Sequence, residues 1–203
     1  MNKDLEKIKN MLAKISFSGD QDSYVLIEEN DPLATLRKAK IKITASKDWF
    51  AFNPDKILSK NKKNKKLRNI QISPLLTSNG FLKCSVSGEK TECHHNKTCD
   101  AVIFLLEGDQ LRLIFIELKS SLEEYKKAMN QIKSAEKFSN YLLDLACEFS
   151  QVKFKIIPHY ILLYKIPARK TKTDITKITP TKSLFKKIPI YNDGTIFLRQ
   201  LIQ

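Results

Sequence analysis

Two almost wholly apolar runs, Asp100–Leu106 and Leu111–Leu118, are separated only by Glu107-Gly108-Asp109-Gln110. A Gly-Asp pair between runs of strand length predicts a two-residue hairpin, with glycine where positive φ is needed. Apolar character without alternation predicts strands covered on both faces. The next segment of chain supplies one cover. Leu122, Tyr125, Met129, Ile132, Ala135, Phe138, Leu142, Leu145 and Phe149 recur at helical steps over about 27 residues. Ser120 and Ser121, with Glu123 and Glu124 after them, read as a capping box for that helix.

The other elements arrange themselves around this unit. Leu5, Ile8, Met11, Leu12 and Ile15 predict a short amphipathic helix ended by Gly19. Ser23–Ile27, Lys40–Thr44, Trp49–Asn53 and Ile70–Leu76 read as short strands. Ser78-Asn79-Gly80 is a turn signal, before a polar stretch to Cys99. Val152–Lys165 reads as a strand broken by Pro158, and Gly194–Leu201 as a final strand. The order strand, strand, helix, strand predicts an α/β fold with a mixed central sheet flanked by helices. At 203 residues the chain is expected to form one domain, 1–203.

Composition narrows the partners. The 36 Lys and Arg against 22 Asp and Glu leave a net charge of +14, which attracts polyanions, nucleic acid first among them. Residues 56–68 hold seven of those cations, including Lys60, Lys62, Lys63, Lys65 and Lys66. They read either as a solvated basic loop or as an arm on a phosphate backbone, and 165–187 is a second basic stretch. No apolar run is long enough to span a membrane, the N-terminus does not resemble a signal peptide, and a cytoplasmic protein with free thiols is expected.

The hairpin also permits a geometric reading. With Gly108 and Asp109 as the turn, Glu107 faces Gln110 and, counting back along both strands, Asp100 faces Glu117. Directly opposed residues have Cβ atoms about 4.5–5.5 Å apart on one sheet face. Lys119 returns to that face while Leu118 points away. Two carboxylates so close repel unless a cation lies between them or one is protonated. Mg²⁺ suits such a pair, since it takes oxygen ligands and needs only one or two carboxylates. A strand-end salt bridge to Lys119 is the other reading of the same spacing.

Cys99-Asp100, then Glu117-Leu118-Lys119 after a hairpin, then a long helix, resembles the PD-(D/E)xK nuclease superfamily over about residues 98–165. The resemblance implies a restriction-endonuclease-like core and Mg²⁺-dependent hydrolysis of DNA, with Mn²⁺ as a substitute. By the same resemblance Asp100 and Glu117 hold the metal, the Leu118 carbonyl joins them, and Lys119 serves catalysis. Gln131 is the candidate for the helix Gln that many members add; a helix-surface Gln is its other reading. Cys99 stands where the motif nominally has Pro. A further first-helix Glu has no clear place, with Glu6, Glu28 and Glu29 as candidates. Compact members are found in prokaryotic defence and repair, which implies a homodimer or a larger targeting or ATPase partner. A non-catalytic nucleic-acid-binding subunit of the same fold is the rival.

Cys84, Cys93, His94, His95 and Cys99 crowd into one segment. Zinc sites have recognisable ligand spacings, and this one is irregular, so no stoichiometric zinc is expected. His94 or His95 could instead approach the metal site. Cys147 is expected in the core of the long helix.

Overall fold

The computed structural model describes residues 1–12, 15–18, 23–28, 34–43, 48–60, 67–70, 83–86, 89–92, 98–165, 185–190 and 194–202. The hairpin is its centre. Strands β8 (Ala101–Glu107) and β9 (Gln110–Lys119) pair antiparallel from Glu107↔Gln110 to Ala101↔Ile116, the register the sequence predicts. Gly108 has φ +63, and Asp109 does not share that region, the pattern of a type II′ turn.

On one side β8 pairs antiparallel with β4 (Trp49–Lys60), which pairs with β1 (Ile15–Ser18) and β5 (Leu67–Ile70). On the other side β9 leads into a short 3-10 turn, Leu122–Glu124, and helix α2, Tyr125–Ser150. The chain then returns in β10 (Lys155–Lys165), parallel to β9, and β11 (Phe185–Ile190) adds in parallel at the edge. The result is one mixed seven-stranded sheet. A three-stranded sheet, β12 (Thr195–Phe197), β3 (Lys38–Lys42) and β2 (Tyr24–Glu28), is separate, as is the hairpin of β6 (Lys83–Val86) and β7 (Glu89–Glu92).

The central strands are buried on both faces. One face, with Phe50, Phe52, Phe104 and Phe115, packs against α2 and against Leu5, Ile8 and Leu12 at α1 (Lys3–Met11). The opposite face, with Ile103, Ile114, Ile116 and Ile161, packs against the three-stranded sheet and against helix α3 (Leu198–Ile202). Burying one Phe or Ile in such a layer contributes about 1.5–3 kcal/mol. Asn2 caps α1, its Oδ1 accepting from the Asp4 and Leu5 amides at 2.8 and 3.4 Å.

Several expectations are corrected. The first helix stops at Met11, and Ile15 belongs to β1. Strand β4 runs on past Pro54 to Lys60, with a register irregularity between Ile15 and Phe17 where its partner strand passes that region; bulges tolerate proline. Residues 56–68 are therefore not wholly a loop: 57–60 pair with 67–70. Pro158 does not break β10. Pairing with β11 begins only at Tyr160, so among the described residues Pro158 has a ladder on one side alone. No capping box forms at α2: Ser121 makes no side-chain cap, and Ser120 Oγ instead accepts from the Thr35 amide at 2.9 Å. The buried face of α2 runs Ala128, Gln131, Ile132, Ala135, Ser139, Leu142, Leu143 and Ala146, leaving Leu122, Phe149 and Cys147 exposed. The last strand shortens to Thr195–Phe197 because the chain turns into α3, with Gln200 Oε1 accepting from the Phe197 amide at 2.9 Å. Among the described residues no helix is long and apolar enough to cross a membrane.

Candidate active site

Beyond the last ladder pair, Asp100 and Glu117 meet as the register requires. The Asp100 amide donates to Glu117 Oε2 at 3.2 Å, and the Leu118 amide donates to Asp100 Oδ2 at 2.7 Å. Each carboxylate thus clamps the other's strand. Glu117 is fully buried, Lys119 is 8% exposed, and the Lys119 ammonium lies directly on Glu117 Oε1. Phe115 on β9 and Val102 and Phe104 on β8 point to the α2 side, so strand alternation places Glu117, Lys119 and Asp100 there too. The three expected side chains are brought together.

Strand β10 closes one wall, since Leu162 pairs with Glu117 and Tyr164 with Lys119. Helix α2 closes the roof. Gln131 is buried between Ala128 and Ala135, not on the helix surface, and its Nε2 donates to the Thr98 carbonyl at 3.3 Å. Gln131 Oε1 is buried with no hydrogen-bond partner among the described residues. An unsatisfied buried amide oxygen costs about 1–3 kcal/mol.

Electrostatics fix the state of the lysine. Burial opposes its charge, but the Glu117 carboxylate, its hydrogen bond, then Asp100 and Glu124 outweigh burial and raise the Lys119 pKa above 10.5. Lys119 is therefore an ammonium at neutral pH. In this arrangement it donates to Glu117 and compensates negative charge.

Among the described residues no group of three or more His, Cys, Asp and Glu side chains is assembled around one point. The oxygen donors that fit a hard divalent ion are two carboxylates, Asp100 and Glu117, with the Leu118 carbonyl between them. One oxygen of this donor set already holds a cation, the Lys119 ammonium on Glu117. Tyr125 and Lys187 sit over the same face farther out, the Lys187 ammonium 4.1 Å from the Tyr125 ring centroid. No spacing rule pointed to that pair, because β11 joins the sheet from far along the chain.

The remaining expected residues fall elsewhere. Glu6 is exposed on α1, one residue from Lys7, whose Nζ reaches the Ser150 carbonyl at 3.5 Å. Gln131 lies nineteen residues earlier in α2, about 28 Å along a helix, so Glu6 belongs to the opposite end of the molecule. Glu28 pairs with Lys38 at 3.1 Å on the three-stranded sheet. Glu29, Lys62, Lys63, Lys65 and Lys66 lie outside the described residues, as do Cys93, His94 and His95; Lys60 and Cys84 are placed only as positions in β4 and β6. Cys99 is a buried thiol, Sγ 3.3 Å from the Ala101 carbonyl. No protein-family model, curated protein or solved structure matches this chain.

Proposed function

We propose that this chain is a metal-dependent nuclease that hydrolyses phosphodiester bonds of DNA, on a restriction-endonuclease-like core. The observation that carries the reading is the clamp of Asp100 and Glu117 across the hairpin end, with Lys119 on the same face and Gln131 above it. The net charge of +14 supplies the attraction for a polyanion.

Asp100, Glu117 and the Leu118 carbonyl would hold Mg²⁺, with Mn²⁺ as a substitute. Bound there, Mg²⁺ would polarise a phosphoryl oxygen and activate a water for attack. The chain's own groups do the rest. The Lys119 ammonium beside Glu117 offsets the charge that gathers on the phosphate. The unpartnered Gln131 Oε1 accepts from the attacking water and orients it. The buried walls of Leu162 and Ala128 keep the local dielectric low, which strengthens both interactions. Target choice falls to a second copy or to a larger targeting or ATPase partner, in the manner of compact defence and repair nucleases.

A second reading draws on one observation: both oxygens of Glu117 already take protein donors, Lys119 and the Asp100 amide. That pattern suits a non-catalytic nucleic-acid-binding subunit in which the cluster only pins the hairpin. Incubating purified protein with plasmid, linear duplex, single strand and RNA, with Mg²⁺, Mn²⁺ or chelator, separates the two. Metal-dependent cleavage supports the nuclease; binding without cleavage in every metal supports the subunit.

A further inference from the structure

The three-stranded sheet turns its inner face to the core through Val25, Ile27, Ala39 and Ile41. Strand alternation sends the intervening residues outward: three lysines from β3, flanked by Tyr24, Leu26, Glu28, Thr195 and Phe197. The central strand β3 presents Lys38, Lys40 and Lys42 in line. In register, Lys42 has Tyr24 on one side and Phe197 on the other, so two aromatic rings flank a lysine row across neighbouring strands. Strands lie about 4.8 Å apart, which sets the two aromatic positions about 10 Å from each other.

The cations and rings are already engaged. Lys40 Nζ lies 3.8 Å from the Tyr24 ring centroid, and Lys42 Nζ and Arg199 Cζ lie 5.9 and 5.6 Å from that of Phe197. Phe197 is 36% exposed, a large apolar ring left in water among cations. Among the described residues of this face only Glu28 opposes that charge, and it is paired with Lys38. Phosphate neutralised by lysines, with bases stacked on aromatic rings, is how single strands are held without sequence readout. Duplex DNA, whose bases are already stacked on one another, offers the rings nothing.

From this face we infer a single-stranded nucleic-acid-binding platform, with Lys40 and Lys42 tracking the backbone and Tyr24 and Phe197 each stacking a base. The Lys38 end of β3 comes near the ends of β9 and β10, on the side of the main sheet opposite the α2 face that carries Asp100, Glu117 and Lys119. Lys38 comes three residues after Thr35, about 10 Å of extended chain. The Thr35 amide donates to Ser120 Oγ and its carbonyl accepts from Lys165 Nζ at 3.1 Å, where β9 and β10 end beside Lys119. The inference does not rest on cleavage.

The test is fluorescence anisotropy of the full chain in EDTA, with labelled oligo-dT, oligo-U and a duplex, each about 12 nucleotides long. Both single strands should bind about tenfold or more tightly than the duplex. Tyr24→Ala and Phe197→Ala should each weaken single-strand binding about tenfold and leave duplex binding unchanged. Lys40→Ala and Lys42→Ala should each flatten the salt slope by about 0.7. Tyr24→Trp should keep the affinity and show fluorescence quenched by bound bases, against the buried Trp49. Equal affinity for duplex and single strand overturns the inference, and so does an unquenched Tyr24→Trp. Strand-selective binding in a chain that cleaves nothing leaves the platform standing and removes the nuclease; cleavage without strand selectivity does the reverse.

Discussion

Asp100 and Glu117 face each other across the end of the central hairpin, and each carboxylate accepts a backbone amide from the other's strand, at 3.2 and 2.7 Å. Two acidic groups so placed would push the strands apart. The Lys119 ammonium on Glu117 compensates them, and with it the cluster becomes a fastener made of charges. The same arrangement serves chemistry and structure, so variants have to be read on two axes.

Removing Glu117 alone should be costly. The lysine beside it is 8% exposed and would be left charged and unpaired, which costs about 3–5 kcal/mol. Glu117→Ala should therefore lower the urea midpoint sharply, whereas Glu117→Met with Lys119→Met should recover most of the loss. Stability from the raised Lys119 pKa is fully present below about pH 10.4, the unfolded value, and is lost as pH rises through the folded value. Equal midpoints for the single and double variants would show that the pair contributes no buried charge.

Asp100 separates the two roles. Asp100→Asn keeps an oxygen for the Leu118 amide but removes the charge that a metal needs. It should melt within about 1 kcal/mol of wild type and lose cleavage, while DNA binding stays or tightens. Asp100→Ala also strands the amide and should lose about 1–3 kcal/mol. Full Mg²⁺-dependent cleavage by Asp100→Asn would remove Asp100 from the proposed site.

How much of this was legible depended on locality. A two-residue turn fixes pairing, so Gly108-Asp109 was enough to place Asp100 opposite Glu117 and Lys119 on the same face. Their burial was not legible, because Leu162 and Tyr164 reach them from β10, across the whole of α2. Pro158 misled for the same reason: a proline breaks a strand or not according to which neighbours it has, and the sequence does not say where β11 begins. Ser120 looked like a helix cap but bonds Thr35, a partner 85 residues away. Phe149 fitted the helical period and Cys147 was expected in the core, yet the buried face of α2 ends along Leu142, Leu143 and Ala146, which leaves both exposed. The aromatic flanks of β3 were invisible as a pair, since Tyr24 and Phe197 come from opposite ends of the chain.

Gln131 offers a test with little structural interference. Its amide makes one hydrogen bond, to the Thr98 carbonyl, and leaves its own oxygen without a partner among the described residues. Gln131→Met fills the same volume and removes the orphaned oxygen, so stability should change by less than about 1.5 kcal/mol. Cleavage should fall about tenfold to a hundredfold if the amide orients water, with DNA affinity unchanged. Unaltered cleavage would make Gln131 a packing residue whose amide is incidental.

His159 supplies the acid limb of the stability profile. Burial first, then the cations Arg112 and Lys186, lower its pKa to about 4, against a weaker opposing pull from Glu107. Arg112 Nη1 lies 3.2 Å from His159 Nε2, and a guanidinium only donates, so the ring accepts and is neutral. Unfolded, the imidazole titrates near 6.5. Between about pH 4 and pH 6.5 the unfolded chain therefore binds a proton that the folded chain refuses. Folding stability should decline as pH falls through that window, by about 1–3 kcal/mol from this group, and show no further loss from it below pH 4. His159→Gln keeps an acceptor for Arg112 and cannot titrate, so its urea midpoint should decline less between about pH 7 and pH 4.5. Parallel midpoint profiles for His159→Gln and wild type would mean that the acid sensitivity comes from other groups and that the Arg112–His159 contact is broken in solution.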